Sequence, residues 1–418
     1  MSKLVINGPA GISGELSVRG AKNAALPIIM ASVVASKPVI LENVPTELKD
    51  IAASVEALRY IGCDVAVGDG RLDVFPKKIM ITSIPSEICC RFRSSLLFLG
   101  LLTGMKGHCK ITVPGGCEIG ERRFDLHLEG LRKLGAKVEI TGEVIEVHAD
   151  KLTGADINFY LPTTTGTENL MIAACFAEGR TRIFNANTRP EIADLGNFLN
   201  TLGANITVRN RIVEINGKAN FGGGKYCIMP GWDEALTYII AAGMTNGEVC
   251  IKKFSSEYIK YDIEYLKKAG IDVSEKNGNI YASGKNKQLR AFDLFTAPYP
   301  GVNSDMQPLF AALASQCHGE STITDQRFTE RFQYVKELQK FGMQIENYGN
   351  CAIVRGKSKL KGAQVEAIDL RCGAALILSA LAAEGITEIS NVYQIERGYE
   401  YIVPRLRNLG AKTEIVND

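Results

Sequence analysis

One pattern recurs six times along this chain and restricts what it can fold into. Leu-x-x-φ-Gly-x-x-φ, with φ mostly apolar, runs from Leu58 to Val65, Leu131 to Val138, Leu199 to Ile206, Leu266 to Val273, Leu338 to Ile345 and Leu406 to Thr413. Its glycines, Gly62, Gly135, Gly203, Gly270, Gly342 and Gly410, return about every 70 residues. The pattern reads as an amphipathic helix that ends, a glycine in the left-handed C-terminal position, and an alternating strand. Lys137-Val138-Glu139-Ile140 and Asn205-Ile206-Thr207-Val208 carry that alternation.

Each repeat holds a second, more apolar helix: Asn23 to Ser36, Ser94 to Gly104, Glu168 to Gly179, Glu234 to Gly247, Asp305 to Gly319, and Cys372 to Gly385. These are apolar almost all round, which predicts burial rather than a surface position. Buried helices with sheet outside them give an inside-out α/β arrangement. The 418 residues exceed one ordinary core and suit two domains of roughly 200 residues.

Composition excludes several classes. A net charge of +2 supplies no basic field for nucleic acid. No apolar run reaches the ~18 residues of a membrane span, and Met1-Ser2-Lys3-Leu4-Val5-Ile6-Asn7-Gly8 turns polar too early for a signal peptide. The eleven cysteines are odd in number and scattered, with no Cys-x-x-Cys. His108, His127, His148 and His318 form no ligand-spaced cluster, so the sequence argues against zinc. Free thiols in a reducing cytosol are the expectation.

Charged and polar residues mark the starts of the buried helices: Lys22-Asn23, Arg93, Thr167-Glu168, Asp305 and Arg371. Helix N-termini attract anions, so cations there serve stability poorly and a polyanionic ligand well; the alternative is solvated surface charge. Arg122 and Arg397 lie thirteen residues before their helix-ending glycines, and Arg331 eleven. Arginine suits bidentate phosphate and carboxylate contacts. In Pro114-Gly115-Gly116-Cys117-Glu118-Ile119-Gly120-Glu121-Arg122 a thiol sits in a glycine-rich loop near arginine. That setting fits acid or nucleophile chemistry and equally simple loop placement. Cys175 and Cys372, inside apolar helices, read as packing residues. Asp305 follows a Pro- and Gly-rich run and reads either as a helix cap or as a general base.

These residues, taken as a set, resemble the UDP-N-acetylglucosamine 1-carboxyvinyltransferases of the enolpyruvyl transferase family. The resemblance runs essentially end to end. It rests on Lys22-Asn23, Arg93, Pro114-Gly115-Gly116-Cys117 with Ile119-Gly120 and Arg122, Thr296-Ala297-Pro298, Asp305-Met306-Gln307, Arg331-Phe332, Asp369-Leu370-Arg371 and Arg397-Gly398-Tyr399-Glu400. It implies a two-domain inside-out α/β barrel of six repeats, three per domain. Residues 22–229 would form the domain with the Cys117 lid loop. Residues 1–21 and 230–418 would form the domain carrying Asp305. The active site would lie in the cleft between them.

The implied reaction moves the enolpyruvyl group of phosphoenolpyruvate to the 3-hydroxyl of UDP-N-acetylglucosamine and releases phosphate. It is the first committed step of peptidoglycan synthesis and the target of fosfomycin, run by a cytoplasmic monomer without metal or cofactor. Lys22, Asn23, Arg122, Arg331, Arg371 and Arg397 would hold phosphoenolpyruvate. Cys117 would help protonate its methylene carbon, Asp305 would act on the sugar hydroxyl, Asp369 would assist elimination, and Lys22 would belong to the catalytic set with them. Asn23, Arg93, Arg122, Arg123, Phe124, Asp125, Leu126, Thr163, Thr164, Thr165, Asp305 and Arg327 would meet the nucleotide sugar.

Four segments depart from the family pattern. Arg-Pro becomes Arg122-Arg123-Phe124-Asp125-Leu126-His127; Ser-Val-Gly-Ala-Thr becomes Thr163-Thr164-Thr165-Gly166-Thr167; Pro-Asp-Arg-Ile-Glu-Thr-Gly-Thr becomes Pro230-Gly231-Trp232-Asp233-Glu234-Ala235-Leu236-Thr237; and Arg327 replaces a small aliphatic residue. All lie on the acceptor side. They leave open a different nucleotide acceptor such as UMP, or a catalytically silent paralogue that binds nucleotide sugar.

Overall fold

The computed structural model describes residues 2–114, 124–328 and 331–417. The chain forms two compact units. Of the described residues, the first holds 19–114 and 124–230, the second 2–18, 231–328 and 331–417.

Each unit contains three four-stranded sheets on a single plan. An edge strand runs parallel to the second strand, and the second, third and fourth pair antiparallel. In the first unit Ser83–Ile84 pairs parallel with His108–Thr112, which pairs antiparallel with Val144–His148, and that with Lys137–Thr141. Gly224–Cys227 returns from the far end of the same unit to pair parallel with Val39–Glu42. In the second unit Ser2–Gly8 pairs antiparallel with both Gly385–Ser390 and Lys412–Asn417. Each set of repeats is therefore closed by a strand from its own opposite end. Alternation does the sorting within the strands: Ile145 and Val147 face the core while His148 stays exposed.

Six core helices follow the predicted segments: α1 (Lys22–Ala31), α2 (Leu97–Lys106), α3 (Thr164–Ala174), α4 (Trp232–Met244), α5 (Gln307–Ala314) and α6 (Leu370–Ala382). Their apolar character is matched by burial. Every residue of α4 and α5 is buried, as is all of α6 but its last residue. In the second unit α4, α5 and α6 pack against one another. In the first, α2 packs on α1 and on α3. The α2–α3 approach needs a glycine: a Cβ on Gly100 would stand 2.3 Å from the Asn169 carbonyl oxygen, and the Asn169 side chain accepts from the Gly100 N–H at 2.8 Å.

All six repeat glycines adopt positive φ, from 82° at Gly342 to 114° at Gly203, as an αL helix terminus requires. Three helix starts differ from expectation, and the first is Thr167-Glu168, which lies inside α3 because that helix begins at Thr164. Arg93 and Asp305 do not open α-helices; they sit in 3₁₀ turns, Arg93–Leu96 and Ser304–Met306, that lead into α2 and α5. Pro308, in the first turn of α5, fits a helix that can begin only after such a turn, because proline is tolerated there and not deeper. No helix among the described residues is long and apolar enough to cross a membrane.

Candidate active site

The second unit brings Asp305, Arg331 and Arg371 together with a residue the sequence reading did not select, Asp233. The turn before α5 is capped by Asn303, whose side chain accepts from the Asp305 N–H at 3.1 Å. Asp305 is therefore not the cap. Its carboxylate turns to two guanidiniums, Arg331 Nη2 at 2.8 Å and Arg371 Nη2 at 3.3 Å. Arg371 lies in the first turn of α6, which Asp369 caps by accepting from the Arg371 and Cys372 N–H groups at 2.7 and 2.8 Å. Both backbone bonds use Asp369 Oδ1, and the buried Arg371 side chain forms a short ion pair with Asp233 at the start of α4. Burial alone would pull the guanidinium down, but Asp233 and Asp305 hold it well above its usual value.

Two atoms of each arginine stay unmatched. Nε and Nη1 of Arg331 and of Arg371 are buried and have no hydrogen-bond partner among the described residues, and the two arginines are 6% and 2% exposed. A buried guanidinium N–H without an acceptor costs on the order of 1–3 kcal/mol. Four such donors on two forks fit the oxygens of phosphate and carboxylate. They are what the structure would need to hold a small polyanion.

Neighbouring groups fix this arrangement. The Thr237 and Tyr399 hydroxyls bond at 2.8 Å, and burial pushes the Tyr399 phenol up to about 12. The fully buried Asp325 carboxylate accepts from Ser304 Oγ at 2.9 Å and from the Arg327 and Phe328 N–H groups at 2.9 and 3.0 Å. It ties the Asp305 turn to the segment leading to Arg331. The Arg327 guanidinium lies over the Phe328 ring, 5.2 Å from its centroid. Arg397, just after a short helix, donates to Gln394 Oε1 at 3.0 Å.

In the first unit the predicted residues are more dispersed. Lys22, at the start of α1, pairs with Asp50 at 3.1 Å, both largely buried, and Asn23 beside it is half-buried. His127 is held down to about 3 by burial and by the nearby Arg93 charge. Phe124 and Asp125 are half-buried, Leu126 is buried, and Tyr160 donates to Asp125 at 2.6 Å. Thr163 caps α3 by accepting from the Gly166 N–H at 3.3 Å, Thr164 accepts from Asn187 at 3.0 Å, and Thr165 is half-buried. Behind them Glu168 is pushed up to about 8 by burial and by the Glu191 charge. Cys117, Arg122 and Arg123 lie outside the described residues.

Cys175 and Cys372 are buried, with thiols pushed up by burial, in keeping with packing roles. Asp233 was legible in principle: it stands at a buried-helix start equivalent to Lys22 and Arg371, inside a segment that departs from the family pattern. The histidines call for a correction. No spacing linked them in sequence, yet antiparallel pairing sets His108 directly opposite His148, with Glu146 beside both.

Comparison with known proteins gives a consistent picture. The model of the family described as EPSP synthase (3-phosphoshikimate 1-carboxyvinyltransferase) matches residues 6–406. The UDP-N-acetylglucosamine 1-carboxyvinyltransferase of Lawsonia intracellularis is 40% identical over 419 residues, covering 100% of both chains. Enzyme 1 of that name from Caldanaerobacter subterraneus is 39% identical over 414 residues, 98% of this chain and 99% of the relative. Among solved structures, the enolpyruvyl transferase NikO from Streptomyces tendae superposes with a TM-score of 0.90 at 23% identity, covering 99% of this chain and 98% of that one. An EPSP synthase from Acinetobacter baumannii gives 0.78 at 18% identity, with full coverage of both.

Proposed function

Since this chain belongs to the enolpyruvyl transferase family, with full-length relatives among the UDP-N-acetylglucosamine 1-carboxyvinyltransferases, we propose that it transfers the enolpyruvyl group of phosphoenolpyruvate to the 3-hydroxyl of UDP-N-acetylglucosamine. The carrying observation is the pair of buried guanidiniums, Arg331 and Arg371, with donors unmatched by protein. Phosphoenolpyruvate bears both groups such forks bind, a phosphate and a carboxylate. The acceptor is taken from the names of the relatives.

In the addition step the sugar hydroxyl oxygen bonds to C2 of phosphoenolpyruvate. Asp305 takes the hydroxyl proton, and C3 gains a proton from Cys117. In the elimination step C3 loses a proton, the C2–O bond to phosphate breaks, and phosphate leaves with the electron pair. Asp369 assists this second proton transfer. Arg331 and Arg371, with Lys22, Arg122 and Arg397, offset the charge that develops on the phosphate and carboxylate oxygens, and Asn23 helps place the intermediate. Arg93, Arg123, Phe124, Asp125, Leu126, Thr163, Thr164, Thr165 and Arg327 serve the nucleotide sugar. We place this activity in peptidoglycan synthesis and in the cytoplasm; the ten described cysteines are free thiols, which suits a reducing compartment.

One observation favours a second reading, transfer to another nucleotide such as UMP. Asp233, in a segment that departs from the family pattern, reaches Arg371 directly, so the departures touch the chemistry itself. The deciding assay follows phosphate release from phosphoenolpyruvate with UDP-N-acetylglucosamine and UMP supplied separately. Release with the nucleotide sugar, an enolpyruvyl mass gain on it, and a loss of about 10²–10⁴-fold in Asp305→Asn support the main reading. Release with UMP alone replaces the acceptor. Release with neither defeats the main reading and leaves an untested acceptor or a silent binder of nucleotide sugar.

A further inference from the structure

The first unit carries a cluster of ligating side chains that the proposed reaction does not use. His108 begins the strand His108–Thr112, and His148 ends the antiparallel strand Val144–His148 directly opposite it. Glu146 lies two residues before His148, so strand alternation puts it on the same face. Its Oε1 stands 3.1 Å from His108 Nε2 and 3.4 Å from His148 Nε2. The three ligand atoms all lie within 4.8 Å of one another, and the imidazole centroids are 4.5 Å apart.

We propose that His108, Glu146 and His148 form a binding site for a divalent first-row transition metal ion such as Zn²⁺ or Ni²⁺. An ion bound at about 2.0–2.2 Å from each ligand needs ligand atoms about 3.0–3.5 Å apart. Both carboxylate–imidazole separations already meet that requirement, and His148, half exposed, has room to bring its nitrogen closer to that of His108. Two imidazoles and one carboxylate suit zinc, nickel or copper and not magnesium or calcium. The outer shell is also present. Thr82 Oγ1 lies 2.6 Å from His108 Nδ1, so its hydroxyl can accept from Nδ1–H and leave Nε2 as the ligand atom, the usual arrangement around metal-bound histidine. Lys110, the cross-strand partner of Glu146, holds the other carboxylate oxygen at 3.2 Å. It keeps Oε1 aimed at the histidines and moderates affinity through its charge.

Such an ion would join the strand pair to the segment at Thr82, which precedes Ser83–Ile84 in the same sheet. Its role is structural. Three protein ligands at a surface leave the remaining positions to water.

The test is calorimetric titration of the full chain with Ni²⁺ in a non-chelating buffer, paired with thermal unfolding. The expected result is one saturable equivalent with a raised unfolding midpoint. Affinity should fall at least tenfold in His108→Ala, His148→Ala and Glu146→Gln, and stay unchanged in His318→Ala, an exposed histidine outside the cluster. His148→Gln provides a second, conservative variant, and circular dichroism checks that each variant is folded. Absence of saturable binding overturns the proposal. So does binding that persists within twofold in the histidine variants, because the ion would then sit elsewhere.

Discussion

The two units repeat one plan and finish the starts of their buried helices in different ways. In the second unit those starts carry full charges: Asp233 on α4, Asp305 before α5, Arg371 on α6. Their balance comes from each other and from Arg331. In the first unit a hydroxyl caps α3, Arg93 stands in the turn before α2, and Lys22 pairs with Asp50. The second unit thus gathers charges of both signs that pair with one another while some guanidinium donors remain unmatched, and the first spreads its charges singly along its helix starts. A repeat fixes where a helix begins; the residues placed there decide whether the spot stabilises the fold or a ligand.

The sharpest way to break this contrast is at Arg371. Arg371→Met should abolish measurable phosphate release, a loss of at least about 10³-fold, because a donor aimed at developing charge is removed. It should also destabilise the protein by about 3–5 kcal/mol, since Asp233 would remain buried without its partner. Adding Asp233→Leu should restore most of the stability and none of the activity. Urea unfolding alongside the phosphate assay separates the two effects. If the double variant stays as unstable as the single one, the ion pair is not what Arg371 contributes to the fold.

A smaller effect tests the first unit. Glu168 sits in the second turn of α3 with its carboxyl raised from an ordinary 4.5 to about 8. The folded chain therefore keeps a proton that the unfolded chain gives up above pH 4.5. Stability from this group is fully present below that pH and is lost as pH climbs through about 8. Burial raises Asp194 to about 6, with the same sign. Chemical unfolding at pH 5 and pH 8.5 should show a decline of a few kcal/mol, because each tenfold difference in proton affinity between folded and unfolded chain is worth about 1.4 kcal/mol. Glu168→Gln should flatten most of it. An unchanged slope in that variant would show that Glu168 is ionised in the folded protein.

Much of this was readable from sequence because it depends on local physics. The six glycines signalled helix ends through their spacing, and all six take positive φ. Arg331, Arg371 and Asp305 were legible as charges at repeated positions. What stayed hidden depends on long-range pairing. Asp233 meets Arg371 across 138 residues of chain. His108 meets His148 only because a strand register aligns them. Asp305 read equally well as a cap, and Asn303 took that role for reasons of turn geometry that spacing does not express.

The finest test concerns Thr163, where the first unit's fold and its proposed ligand use the same atom. Its Oγ1 accepts from the Gly166 N–H, a cap whose loss typically costs about 1 kcal/mol. Thr163→Val should lower stability by about that amount. If the hydroxyl only caps, KM for the nucleotide sugar should stay within twofold of wild type. If it also meets the diphosphate, KM should rise several-fold while kcat holds, and Thr163→Ser should recover both properties, because serine keeps the oxygen and loses only the methyl. A KM unchanged by valine would confine Thr163 to the helix and make the first unit's contribution one of backbone N–H groups, deepening the contrast with the arginine-lined second unit.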